Sequence, residues 1–132
     1  MRKLLILSAV VAIGAGLAAW QTFSGGKDGA HVDVAVSELS TAGRLGARVF
    51  EENCAACHGV NGAGTDQGPP LVHIIYEPSH HGDASFVAAV RVGVRQHHWK
   101  YGNMPRQPQI TDRQIGQIIA YVRELQRANG IN

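Results

Sequence analysis

The chain has 132 residues, room for one domain of about 100 residues and an extension, and a second domain is not expected. Its formal net charge of +2 includes Arg2 and Lys3, so the remainder is neutral and no nucleic-acid partner is expected. With only two cysteines, a closed zinc site would need two further ligands from histidines that lack the usual finger spacing.

Arg2 and Lys3 precede an apolar run from Leu4 to Trp20, interrupted only by Ser8. This pattern is an export signal. The run exceeds the about 7–15 residues of a cleaved signal, and no charge appears through Gly26, a stretch that as a helix would cover about 35 Å against an about 30 Å hydrocarbon core. Gly16-Leu17-Ala18 also offers a small-x-small cleavage site. Residues 1–23 therefore read as a signal peptide or a membrane anchor, an N-terminal hydrophobic helix with Trp20 near the interface. Either way, the following residues cross the membrane. Residues 24–40 are Gly-rich and polar and read as a flexible linker, with a reach of about 20–24 Å. Its rival is an arm lying on the domain.

Residues 41–132 carry helical periodicity, no convincing strand alternation and no repeat, which predicts an all-α domain with long loops. A first helix starts near Ser40 or Thr41, turns Leu45, Val49 and Phe50 inward, and leads into Cys54-Ala55-Ala56-Cys57-His58. Cys-x-x-Cys-His is the attachment pattern of c-type haem. Two thiols within one helical turn add across the two porphyrin vinyl groups, and the adjacent imidazole reaches the iron. A zinc site, a disulfide and a redox dithiol are the competing uses of Cys-x-x-Cys. Gly59, Gly62, Gly64 and Gly68 follow, without the Gly-Lys-Ser/Thr ending or the entering strand of a phosphate loop.

Asp83 or Ser85 is expected to cap a short helix carrying Phe86, Val87, Ala89 and Val90. Thr111-Asp112-Arg113-Gln114 has the form of a capping box, opening a last helix with Ile115, Ile118, Ile119, Val122 and Leu125 on one face and Asn129-Gly130 as its stop. Short helices and long loops make a poor core alone. A porphyrin supplies the apolar centre they lack.

Taken together, residues of about 40–128 resemble a class I cytochrome c of the small bacterial monohaem type. Gly46, Phe50 and Tyr121 resemble the family's residues at the crossing of its first and last helices. Gly68-Pro69-Pro70-Leu71 resembles the segment in which the carbonyl of Pro69 would accept the other ring N–H of His58. Gly102-Asn103-Met104-Pro105 resembles the distal loop, with Met104 as the second iron ligand. The resemblance thus implies one covalent haem c held by Cys54 and Cys57, its iron bound by His58 and Met104, with helices wrapped around it, attached outside the cytoplasm.

A doubly ligated iron has no open position, so the implied task is one-electron transfer between a redox donor and acceptor, without a catalytic residue. The expected location is the periplasmic side of the cytoplasmic membrane, anchored through residues 4–23, or the periplasm after cleavage. Two alternatives stay open: a haem subunit or ligand-binding sensor with a labile sixth site, and copper handling. His73, His80, His81, His97 and His98 all fall between the proposed ligands, and His80-His81 and His97-His98 could meet around copper. Trp99 and Tyr101 would bond a propionate or pack beside the porphyrin. Charge divides along the chain: residues 49–90 hold Glu51, Glu52, Asp66, Glu77 and Asp83 with no Lys or Arg, whereas 91–113 hold Arg91, Arg95, Lys100, Arg106 and Arg113 against Asp112. The basic side is expected to dock an acidic partner surface.

Overall fold

A computed structural model describes residues 30–132. The expected N-terminal helix and the first part of the expected linker lie outside the described residues. Among the described residues there are four α-helices: α1 (Thr41–Asn53), the single-turn α2 (Ala55–His58), α3 (Asp83–Val92) and α4 (Asp112–Ala128). Short 3-10 turns at Val60–Gly62 and Ile74–Tyr76 punctuate the loops. Among the described residues there is no strand, only an isolated bridge between Val94 and Met104. None of their helices is long and apolar enough to cross a membrane.

The scaffold is the crossing of α1 and α4. Ser40 caps α1, its Oγ accepting from the Gly43 N–H at 3.0 Å. Thr111 and Gln114 form the expected reciprocal capping box at the start of α4. Gly46 sits where a β-carbon would collide with the backbone carbonyl of Gln117, so only glycine lets the two helices come this close. Beside it, the rings of Phe50 and Tyr121 meet edge to face with centroids 5.5 Å apart. Phe50, Ile115, Ile118, Tyr121, Val122 and Leu125 form the buried core with Val72, Val90 and Ile110.

Three local expectations change. Leu45 is 37% exposed rather than inward, because Gly43, Gly46 and Phe50 define the buried stripe of α1. The N-cap of α3 is Gly82, with Asp83 inside the first turn, where its charge favours the helix dipole. The Ser85 hydroxyl bonds back to the Gly82 carbonyl at 2.7 Å, and Val87 faces outward.

Residues 30–40 have no helix or strand, as a linker would, yet they lie against the domain. The Val32 N–H bonds the Ala63 carbonyl at 2.9 Å, and the Asn129 side chain both accepts from the Ala35 N–H at 2.9 Å and donates to its carbonyl at 2.8 Å. Val32, Val34 and Leu39 pack on the core. The packed region therefore begins before residue 41.

A buried cation completes the fold. Arg123 pairs with Asp83 at 2.9 Å and donates to the carbonyls of Tyr76 and His81 and to the Gln126 side chain. Its guanidinium also lies 4.8 Å over the Phe86 ring centre. One side chain of α4 thus fixes α3 and the 76–81 loop, so its charge is compensated despite burial.

Candidate functional site: an apolar cleft at the cysteine pair

Cys54 ends α1, its N–H bonding the Phe50 carbonyl at 2.7 Å, and the next turn carries Cys57 and His58. The glycine-rich loop holds this turn from below. The His58 carbonyl accepts from the Gly64 N–H at 2.6 Å and the Cys57 carbonyl from the Thr65 hydroxyl at 2.6 Å. Gly64, at φ 86°, and Gly68 pass so near Pro70 and Cys57 that a β-carbon on either would clash. Pro70 is fully buried, and the preceding carbonyl, that of Pro69, turns to His58.

The His58 Nδ1 lies 2.9 Å from that carbonyl oxygen. Because a carbonyl can only accept, Nδ1 carries the hydrogen and Nε2 keeps its lone pair. Burial lowers the His58 pKa, against an opposing effect of the Pro69 bond, so the neutral imidazole dominates at neutral pH. This is the form that ligates metal.

The two cysteines are not paired with each other and sit in different surroundings: Cys57 is exposed, whereas Cys54 is half-buried. Burial, and secondarily the neighbouring Cys57, push the Cys54 thiol up to about 11. A redox dithiol requires an accessible thiolate, which burial disfavours at Cys54.

Above the motif lies a cleft enclosing about 890 Å³ of atom-free space, including its open mouth. Cys54, His58 and Pro69 line it from the motif side, and Met104 lines it from the distal segment. Phe50, Leu71, Phe86, Val90 and Ile118 supply apolar walls, which links the cleft directly to the core. Met104 is placed by backbone: its N–H and carbonyl exchange 3.0 Å bonds with Val94. Gly93, at φ 81°, lets the chain turn against the Met104 carbonyl. Gln96 and Asn103 close the segment reciprocally, Asn103 Oδ1 accepting from the Gln96 N–H at 2.9 Å and Gln96 Oε1 from the Gly102 N–H at 2.7 Å.

The model of the cytochrome c family matches residues 44–126, more than half of the chain. The chain belongs to the cytochrome c family. Comparison with curated proteins and with solved structures gave no match. A cytochrome c carries covalently bound haem c with its iron and uses it for electron transfer.

The cleft fits that group. Its walls are apolar, a ligand-ready imidazole and a thioether line it, and Trp99, which also lines it, has a buried indole Nε1–H without a hydrogen-bond acceptor. The Tyr76 hydroxyl comes near enough to Trp99 to influence its own acidity but forms no well-shaped bond to the indole. An acceptor from a bound group, such as a propionate, would satisfy this nitrogen. Tyr101 is used differently: its hydroxyl accepts from the Ala30 N–H at 2.7 Å and does not line the cleft.

The five histidines also separate. His73 Nδ1 accepts from the Ile75 N–H at 3.2 Å, capping the 3-10 turn, and its ring meets Trp99 edge-on. His80, His81, His97 and His98 converge at the cleft rim. Desolvation, then His97, His81 and His80, lower the pKa of His98. Tyr76 and the Gln96–Asn103 clamp were not foreseen. An aromatic residue in a polar loop was a weak signal for the former, and nothing in local spacing announces the latter.

Proposed function

We propose that this cytochrome c is a one-electron carrier with a single haem, tethered through thioethers at Cys54 and Cys57 and ligated by His58 and Met104. The observation that carries the proposal is the convergence of His58 and Met104 on one apolar cleft, with the Pro69 carbonyl fixing which His58 nitrogen is free. When bound, the haem would supply an iron that cycles between ferric and ferrous states, and ligation by a neutral thioether together with imidazole would raise its potential.

The chain's own residues set the rest. Pro69 holds the imidazole orientation, which also strengthens it as a ligand. The two-bond bridge to Val94 fixes the backbone of Met104. Phe50, Phe86 and Ile118 keep water from the centre, and no catalytic residue is assigned.

The protein works outside the cytoplasm, on the periplasmic side, held by residues 4–23 or released after cleavage. The support is the charge-flanked apolar run beginning at Leu4. Its partners are a redox donor and acceptor. Arg95, Lys100, Arg106 and Arg113 are exposed and take no part in the ion pairs of the described residues, which favours an acidic docking surface.

Mass and optical spectra of the purified protein test the site. One covalent haem adduct and the weak long-wavelength ferric band of a thioether ligand are expected, with loss of that band in Met104→Ala. Absence of the adduct refutes the haem assignment. Rapid stoichiometric carbon monoxide binding by the reduced wild type at neutral pH would replace the electron carrier with a ligand-binding haem protein.

A further inference from the structure

Two pairs of adjacent histidines that are far apart in sequence come together beside the cleft, which His81, His97 and His98 line. His80 and His81 follow the Ile74–Tyr76 turn, and His97 and His98 follow α3. Their neighbouring ring centres are 4.4–6.0 Å apart. One ring nitrogen from each of His80, His81 and His98 lies within 4.8 Å of the others.

The Nε2 atoms of His80 and His98 are 3.4 Å apart. Two nitrogens bound tetrahedrally at about 2.0–2.1 Å from one ion stand about 3.4 Å apart, so this pair already has the spacing that a shared ion requires.

The third ligand is oriented from outside. His81 Nδ1 lies 2.6 Å from the Ile75 carbonyl, so Nδ1 holds the hydrogen and Nε2 presents its lone pair. The His81 carbonyl is in turn held by Arg123, which is anchored to Asp83 and Gln126. A histidine that donates its second nitrogen to a carbonyl is the usual arrangement behind a metal ligand. His97 repeats it, with Nδ1 2.8 Å from the Arg95 carbonyl, and stands beside His98.

We propose that His80, His81 and His98 form a second metal site, separate from the haem iron, that takes a late first-row divalent cation such as Zn²⁺ or Cu²⁺. Three neutral imidazoles with no carboxylate select this class over Mg²⁺ or Ca²⁺. Exposed His80 and His98 give the ion an entry path, and three protein ligands would leave a fourth position for water.

The site stands on the histidine geometry alone and does not depend on which side chain binds the haem iron. Calorimetric titration of the full-length, ferric, haem-loaded protein with Zn²⁺ and separately Cu²⁺ tests it. One ion per chain is expected, with Cu²⁺ the tighter. Affinity is expected to fall at least about tenfold in both His80→Ala and His98→Ala, and to be unchanged in His31→Ala. Circular dichroism and the haem adduct mass verify that each variant is folded and loaded. Met104→Ala is expected to alter the haem spectrum and leave the metal isotherm intact, which separates the two sites. The proposal is overturned if the wild type shows no saturable binding. It is equally overturned if the folded His80→Ala/His98→Ala double variant binds as tightly as wild type.

Discussion

The two walls of the cleft are built by different physics. The motif wall rests on the α1–α4 crossing, where Gly46, Phe50 and Tyr121 interlock by shape. The Met104 wall rests on hydrogen bonds: a two-bond bridge to Val94, and the Gln96–Asn103 clamp between exposed residues. Shape fixes the first within the core, so any change of volume is transmitted to the whole fold. Hydrogen bonds fix the second locally, where solvent competes for each partner. The difference suits the proposed carrier, in which the His58 side would be permanent and the Met104 loop specific without being buried.

The sharpest way to break this comparison is Gly46→Val. The neighbouring atom is backbone and has no rotamer to adopt, so the helices must separate. A loss of about 3 kcal/mol or more is expected, read as a collapse of the denaturant midpoint and of folded yield. Phe50→Ala should cost about 3–5 kcal/mol by opening a cavity under both helices. Leu45→Ala, five residues earlier on the outer face, should stay within about 0.5 kcal/mol. Equal losses at 45 and 50 would mean that the interlock is not what holds the motif wall.

Legibility in the sequence follows the same division. The crossing could be read because its determinants are periodic or local: Gly46 and Phe50 one turn apart, a capping box at Thr111, an apolar face along 115–125. Leu45 misled because periodicity marks a stripe without saying which edge faces the partner helix. Within the candidate site, Cys54, Cys57 and His58 announce themselves by spacing, and His58 and Pro69 prove to be bonded. The distal side was legible as a Met in a turn and as two histidine pairs that could meet, which His80 and His98 do. The bridge to Val94 and the clamp link residues 6–10 apart through loops, and no period or propensity encodes such pairings.

The distal wall should therefore yield to local changes. Asn103→Ala removes the acceptor for the Gln96 N–H and is expected to cost about 1 kcal/mol. Hydrogen exchange should quicken over residues 94–104 while the α1 and α4 amides keep their protection. The thioether band should weaken or become temperature-sensitive. Faster exchange across α1 and α4 as well would show that the two walls form one cooperative unit.

At neutral pH the smallest effect is that of Tyr76, which lines the cleft with Trp99. Burial pushes its phenol up to about 12, partly offset by Trp99 and reinforced by Tyr101. An unfolded phenol releases its proton near about 10. Between those values the unfolded chain holds fewer protons than the folded one, so stability must fall as pH rises. Below about pH 10 both states are protonated and Tyr76 contributes no pH dependence. Tyr76→Phe should accordingly flatten the decline in denaturant midpoint between pH 10 and 12 and leave the midpoint at pH 7 nearly unchanged, since its hydroxyl makes no well-formed bond to Trp99. A parallel decline in wild type and variant would place that phenol in water and detach the 76–81 loop from the cleft.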